Sequence, residues 1–486
     1  MNFLHNYIIL SCFVILSSFH LSAHTAYNKI LNLQYHEAKL ELNKETELAE
    51  NIYLNALNEF VYYLATGDTA ISFNFIAAYP DRIKELQHEN DYENQAFEGE
   101  IDFILSLIYF SQSNYIKSAI PAYKAYRRNR KLLIDYPDEK LHLKMSGIIQ
   151  LISVVIPKEF AWILNLTGMK GSMDQGFKFL EEYKLYEKKK FGSSLLSSVI
   201  ISVTQGIFFN DYENANKSLL HQDDQNQVIV FLKARNYSKL GLNDKAIAIL
   251  ENYLNENEEI ELSFLYYQLG SALLYKLDEE ANLYLTAYLE KSKYDIFKRS
   301  VCLKLAWYYK LFQENERFDN CLQNFYRYQL SYNETDQQAT LEMDNIATYD
   351  VNMLKSRLLF DGGYYTDALH MLHKVDKSNL LEVPQKIEYL YRYARVYHKL
   401  NDIDKAVKYY ENTIAFGHAI PLYYAAFSAM QLGLIYEEKN DIKNAVFYYK
   451  YCLTINKNQY KNTIEYQVNA GLNRISNLNS NYKEPN

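Results

Sequence analysis

Between Ile387 and Leu453 one pattern is written twice. Tyr393-Ala394, Tyr397, Asn401-Asp402, Ile403, Ala406, Tyr410 and Ile414 recur as Leu432-Gly433, Tyr436, Asn440-Asp441, Ile442, Ala445, Tyr449 and Leu453, each 39 residues on. Small and bulky apolar residues return at steps of three and four on both sides of a short polar turn, which is the period of a helix. The unit is therefore a pair of antiparallel helices. Its small residues allow the two to approach, and its aromatics fill the volume beside them. One such pair cannot bury its apolar face alone, so its recurrence calls for a stack in which each pair covers the next. A core that grows by stacking lets a chain of 486 residues escape division into separate globular domains. Only 15 glycines and 7 prolines agree with helices on short connections.

The small-residue slot of the second helix can be followed backwards through Ala445, Ala406, Ala368, Cys321, Ala281, Ala246 and Ala215. Turn residues fall between the helices at Leu240-Gly241-Leu242-Asn243, Asp361-Gly362-Gly363 and Asn440-Asp441. Near the N-terminus, Ala26, Leu33, Tyr35, Ala38 and Leu42 fit the same frame. Ile104, Leu107, Ile108, Tyr115, Ala119 and Tyr123 outline a further pair about the turn Ser113-Asn114. This arrangement resembles the tetratricopeptide repeat. The resemblance implies an all-α, right-handed superhelical solenoid that acts by holding another protein. The 47 tyrosines follow from the same frame, whose large slots they fill many times over. The polar stretch from Leu330 to Gln338 reads as the longest irregular connection.

Residues 1–23 contain no Lys, Arg, Asp or Glu, are mostly apolar from Tyr7 to Leu21, and end in Leu21-Ser22-Ala23. They read as a signal peptide, and the chain as an exported, periplasmic protein; the alternative is an uncleaved N-terminal anchor. Beyond the leader, residues 24–144 read as N-terminal repeats, 145–194 as an apolar helical insertion, 195–476 as the main array and 477–486 as a disordered, Asn-rich tail.

In the insertion, Met145 to Met169 is apolar but broken by Pro157-Lys158-Glu159, so it makes two buried helices and no continuous membrane span. Gly171, Gly176 and Lys178 do not make a phosphate loop, because Phe177 separates Gly176 from Lys178 and no strand precedes them. The run Ile148-Ile149-Gln150-Leu151, Ile156-Pro157, Trp162-Ile163-Leu164, Gly168, Lys170-Gly171-Ser172, Gly176-Phe177 and Leu180 resembles the inclusion-body-clearance family of eukaryotic tetratricopeptide proteins. It is still more similar to uncharacterised exported tetratricopeptide proteins of Bacteroidetes. Both resemblances imply a helical adaptor and carry over no catalytic residue.

First helices of such arrays line the concave side, and the residue after the small slot points into it. After Ala234, Ser356 and Ala394 that residue is Arg235, Arg357 and Arg395. Tyr391, His398 and Lys399 lie on the side of Arg395, and Tyr267 belongs to the repeat framed by Gly270. A planar fork of donors suits carboxylate, so the groove is expected to take an acidic or C-terminal peptide segment. The competing expectation is that these arginines pair with acidic residues of neighbouring helices such as Glu388, Glu437 and Glu438. Lys124, Arg127, Arg128, Arg130 and Lys131 form the densest basic cluster, read either as a site for an anionic partner or as a solvated face answered by Asp135, Asp138 and Glu139.

The remaining chemistry argues for a non-enzymatic scaffold that binds a protein or peptide and needs no cofactor or metal. A net charge of −8 disfavours nucleic acid. Neither HExxH, GxSxG, a glycine-rich dinucleotide fingerprint nor an EF-hand loop is present. His370 and His373 with Asp367 lack a further ligand at metal spacing. Of the cysteines past the leader, Cys302, Cys321 and Cys452, the first two leave a bridge open. The alternative function is a membrane- or lipid-associated adaptor using the apolar hairpin of residues 145–169.

Overall fold

The computed structural model describes residues 21–43, 48–155, 168–169, 171–191, 194–258, 260–292, 295–328, 334–455 and 460–480. Most of the expected leader, Pro157 with the bulk of the second insertion helix, and the last six residues lie outside them. Among the described residues the regular structure is helical throughout. The chain forms α1 (Leu21–Leu31), α2 (Tyr35–Leu42), α3 (Leu48–Thr66), α4 (Thr69–Leu86), α5 (Tyr92–Ser111), α6 (Tyr115–Asp135), α7 (Leu143–Val155) and α8 (Met173–Phe191). It continues with α9 (Leu195–Val203), α10 (Tyr212–Lys217), α11 (Gln227–Lys239), α12 (Asn243–Glu256), α13 (Phe264–Lys276), α14 (Ala281–Lys291), α15 (Lys298–Leu311) and α16 (Asn315–Phe325). The last third holds α17 (Glu334–Met343), α18 (Val351–Asp361), α19 (Tyr365–His373), α20 (Val383–Lys399), α21 (Ile403–Gly417), α22 (Tyr423–Glu438), α23 (Ile442–Thr454) and α24 (Lys461–Ser480). Successive helices pack as antiparallel hairpins, and the hairpins stack into a superhelical solenoid.

A single turn geometry joins the two helices of a hairpin. The residue that ends the first helix adopts positive φ, at Ser113, Gly241, Gly363, Asn401 and Asn440 among others. The next backbone N–H then reaches back to a carbonyl of the preceding turn. Asn114 donates to Tyr109 at 2.9 Å, Leu242 to Tyr237 at 2.9 Å, and Asp441 to Tyr436 at 2.8 Å. This pattern satisfies carbonyls that the helix end would leave open. Asn114, Asp402 and Asp441 then cap the second helix, their side chains accepting from the N–H of Lys117, Lys405 and Asn444. The Asn-Asp pairs of the sequence thus end one helix and start the next.

Helix approach depends on the small slots. Ala215, Ala246, Ala281, Ala368, Ala406 and Ala445 are each 0% exposed, with Cys321 at 9%. Where the slot is glycine the contact is closer. A Cβ on Gly433 would lie 2.5 Å from the Tyr449 ring, and one on Gly471 of α24 would meet the other end of the same ring at 2.5 Å. The insertion uses the same device: Gly147 of α7 faces Leu180 and the carbonyl of Gly176, while Gly176 of α8 faces Leu151. Gly176 of the insertion pattern and Gly147 just before it therefore form a packing seam. Met145, Ile148, Ile149 and Leu151 are buried in it. No helix among the described residues is long and apolar enough to cross a membrane.

Two long-range contacts tie distant hairpins together. Asn226 caps α11 with its side-chain oxygen, accepting from Val228 and Ile229, while its amide nitrogen donates to the Leu31 carbonyl of α1 at 3.1 Å. Tyr27 of α1 also donates to Glu187 of α8. The second contact joins turns three hairpins apart. Gly363 lies so close to Gly241 that a Cβ there would fall 2.1 Å from the Gly241 carbonyl oxygen. Both residues have positive φ, so glycine is required twice over. Tyr364 donates to Asp244 at 3.0 Å beside this contact. The first helices α13, α15 and α18 consequently touch one another.

Part of the polar stretch expected as a loop is helical instead, since α17 begins at Glu334. Its Asp336 is fully buried, accepting from the backbone N–H of Phe297 at 2.9 Å and of Ser300 at 2.8 Å. The polarity that suggested a loop serves the first turn of α15. Cys302 and Cys321 are free thiols, with Cys321 donating to the Cys302 carbonyl at 3.1 Å.

The N-terminal half carries a buried ion pair, Lys144 with Glu100 at 3.0 Å, between the rings of Tyr53 and Tyr183. Burial pulls the Lys144 ammonium down to about 8 despite its carboxylate partner. Glu187 accepts from Leu196 and Ser197 at the start of α9. His142 stacks edge-on to Tyr92, and its Nδ1 lies 2.9 Å from the tyrosine hydroxyl.

Two stability tests come from this packing. Gly433→Ala forces a methyl into the Tyr449 ring and should cost about 1–3 kcal/mol. Gly99→Ala meets only the flexible Arg128 side chain at 3.4 Å. It should be neutral or stabilising by up to about 1 kcal/mol, because glycine is a poor helix former. Thermal midpoints of the two variants would refute the seam if they moved together.

The second test is pH. Burial first, and the Lys140 charge second, lower the His142 imidazole from 6.5 to about 4. The unfolded chain takes up this proton at the higher pH. The fold is thus destabilised as pH falls between 6.5 and about 4, by on the order of 2 kcal/mol for this group. His142→Asn should flatten urea midpoints across that window; an unchanged slope would remove His142 as the cause.

Candidate partner-binding groove

The first helices α11, α13, α15, α18, α20 and α22 pack one against the next in a continuous row, the side expected to be concave. Cations and aromatic rings alternate along part of that surface. Lys304 of α15 lies 5.8 Å from the Tyr267 ring, 4.9 Å from Tyr275 and 5.3 Å from Trp307. Its ammonium also donates to the Tyr275 hydroxyl at 3.1 Å. On the next helix Arg357 sits 4.6 Å over Trp307. Such contacts hold a cation against ring faces where water is scarce.

Arg357 spends its fork on Glu342 of α17, with nitrogens at 2.6 and 3.0 Å from the two carboxylate oxygens. Burial alone would raise the Glu342 carboxyl, but the guanidinium outweighs it and holds the group below the usual carboxylate range. Arg392, one hairpin on, is also paired, with two of its nitrogens on one oxygen of Glu388 in the same helix at 3.1 and 2.6 Å. Burial raises the hydroxyls of Tyr349, Tyr391, Tyr423 and Tyr424 above the ordinary tyrosine value. They stay neutral and able to donate.

Arg395 is placed differently. Its guanidinium lies 3.9 Å over the Phe360 ring and 5.5 Å from that of Tyr391. It reaches Asp361 through one nitrogen only, at 3.5 Å, and its side chain is 25% exposed. Four residues on, Lys399 is exposed at the end of α20. His398 lies between them with Nδ1 3.3 Å from the Tyr410 hydroxyl; burial first, then Lys399, lower its basicity.

The seven residues expected from the sequence separate into groups. Tyr391, Arg395, His398 and Lys399 share α20, with Arg395 turned toward the end of α18. Arg357 is bound into the ring-and-carboxylate cluster beside them. Tyr267 joins that cluster through Lys304 and Trp307, its hydroxyl 3.1 Å from Ser300. Arg235 stands apart, 5.7 Å from the ring of Tyr212 on α10. Of the acidic residues expected to answer these arginines, Glu388 takes Arg392, and Glu437 takes Arg474 of α24 at 2.8 Å. The carboxylates facing Arg357 and Arg395 are Glu342 and Asp361. Sequence reasoning missed Lys304, Trp307, Glu342 and Arg392. Trp307 was within reach, because it follows the buried Ala306 as Arg357 follows Ser356. Among the described residues no three metal-ligating side chains gather, and His370 and His373 find no third.

No curated protein matches the chain. Among solved structures, one of the APC/C hetero-tetramer Cut9–Hcn1 is similar at 11% identity, covering 93% of this chain and 96% of that one, with a TM-score of 0.27. A monomeric IFIT1 mutant with m7Gppp-AAAA is similar at 13% identity, covering 92% and 93%, with a TM-score of 0.26. The family profile of the tetratricopeptide repeat matches residues 387–413 and 428–459, the hairpins α20–α21 and α22–α23. The chain thus carries tetratricopeptide repeats within an all-helical repeat solenoid.

Proposed function

We propose that this chain is an exported, non-catalytic scaffold that holds a partner protein along its inner face through an acidic or C-terminal segment. Repeat scaffolds of this type generally bind other proteins. The observation that carries the finer reading is the contrast between Arg357 and Arg395. The first has both arms of its fork committed to Glu342. The second makes one long contact with Asp361, rests on a ring that fixes its plane, and keeps donors open beside the exposed Lys399. A carboxylate arriving there would meet a pre-oriented fork and a second cation four residues on. The tyrosines of α20 and α22 supply the apolar wall beside it.

The test is a titration of the full chain with a labelled Asp/Glu-rich peptide carrying a free C-terminus, against its Lys-rich counterpart. Arg395→Gln combined with Lys399→Gln removes both charges without setting a carboxylate against Asp361 and should weaken the acidic peptide by about tenfold or more with little change in thermal midpoint. Arg357→Ala should instead destabilise the fold by about 3 kcal/mol, because it strands a buried carboxylate. Equal affinity of the wild type and the double variant for the acidic peptide would sink the groove. Export is checked separately by expression in a Gram-negative host: a periplasmic product beginning at His24 is expected, and a cytosolic product retaining Met1 would refute it.

A further inference from the structure

The outer side of α6 is built against the usual pattern of a surface helix. Its buried positions are mostly small or polar, with Ser118, Ala119, Ala125 and Asn129 among them and Leu132 the one large aliphatic side chain, while Ile116, Ile120 and Ile134 are 76%, 63% and 70% exposed. Tyr123, whose spacing suggested a place in the hairpin core, is 37% exposed and lies under Arg127. Positions 116, 120, 123, 127, 130 and 134 advance by alternating steps of four and three, so Ile116, Ile120, Tyr123, Arg127, Arg130 and Ile134 share one side of the helix, a seam that runs past the interior Pro121. That is the spacing by which one helix lies along another as a coiled coil. Lys117, Lys124 and Lys131 run beside the seam at intervals of seven, the flank where partner charges are met. The only acidic residue of α6, Asp135, approaches Lys131 at 3.9 Å in an exposed pair. Arg128 belongs to the same basic cluster but turns inward onto Glu98 at 2.7 Å and takes no part.

We propose that this seam is a second docking surface, which receives an acidic amphipathic helix of a partner protein laid along α6. Isoleucine and tyrosine supply the apolar contact, and carboxylates of the partner answer the lysine row and the two arginines. A second copy of the chain fits less well, because it would lay one row of lysines and arginines along another with only Asp135 to answer them. An anionic bilayer fits less well than a helix. Arg127 and Arg130 stand in the middle of the apolar line, whereas a helix lying in a membrane keeps its charges on the rim. The surface lies on the second helix of its hairpin, away from the inner groove, so it is independent of that proposal.

The probe is a synthetic three-heptad peptide with Leu at the a and d positions and Glu at e and g, titrated against the full chain. A peptide with Lys in place of Glu, and vesicles of phosphatidylcholine carrying phosphatidylserine, are run beside it. The wild type should bind the Glu peptide and discriminate against the Lys peptide by at least about tenfold. Lys117→Glu, Lys124→Glu and Lys131→Glu combined should invert that preference. All three substitutions are at exposed positions, and circular dichroism would confirm an intact fold. Failure of the wild type to bind the Glu peptide, or a preference that does not invert, would overturn the proposal. Tighter binding to the anionic vesicles than to the peptide would assign the seam to a membrane and overturn it equally.

Discussion

The contact on which this structure depends is a small residue of one helix set against a ring or a leucine of its neighbour. Tyr449, held between Gly433 and Gly471, shows it most plainly, and Gly270 against Leu285 repeats it. Interiors pack to near-crystalline density, so the width of one methyl decides whether two helices can lie at this distance. Once that distance is set, every residue a fixed number of places from the small slot has its direction set too. The inner face of the array is a by-product of this rule, since the residues that line it follow the slots by one.

Charge is handled conservatively on that inner face. Arg357 and Arg392 each meet a carboxylate, and Lys304 is held by the faces of three aromatic rings. Buried ion pairs add little net stability, but breaking one is expensive, so they oppose alternative registers of the stack. Lys144 with Glu100 does the same for the N-terminal hairpins. Arg395 departs from the rule: one long contact with Asp361 leaves much of its donor capacity uncommitted, and the proposed groove rests on that contrast.

The architecture could be read from the sequence because its determinants are local. Alanines at 406 and 445, or Asn-Asp pairs at 401 and 440, fix helix faces and turns within a few residues of themselves. The groove was legible only in direction. Counting one place past Ala234, Ser356 and Ala394 found Arg235, Arg357 and Arg395, yet it could not say which of them was already satisfied. That depends on Glu342, on a helix whose first turn falls within the polar stretch expected as a loop. Nor could spacing alone tell that Tyr123 faces outward, because the α5–α6 contact is filled by small polar residues such as Ser106 and Ser118. Partners remote in sequence, like Asn226 and Leu31, leave no local trace at all.

The backbone contact between Gly241 and Gly363 bears on how the solenoid deforms. Stacked hairpins ordinarily behave as a spring, each joint yielding slightly so that the pitch adapts to whatever is held. Here a clasp spans three hairpins and fixes the pitch between α11 and α19, leaving that segment as a rigid hub. Compliance is displaced to the hairpins on either side, including α20 to α23, where the uncommitted arginine sits. The molecule should therefore bend on either side of a stiff centre, its C-terminal hairpins yielding at their own joints.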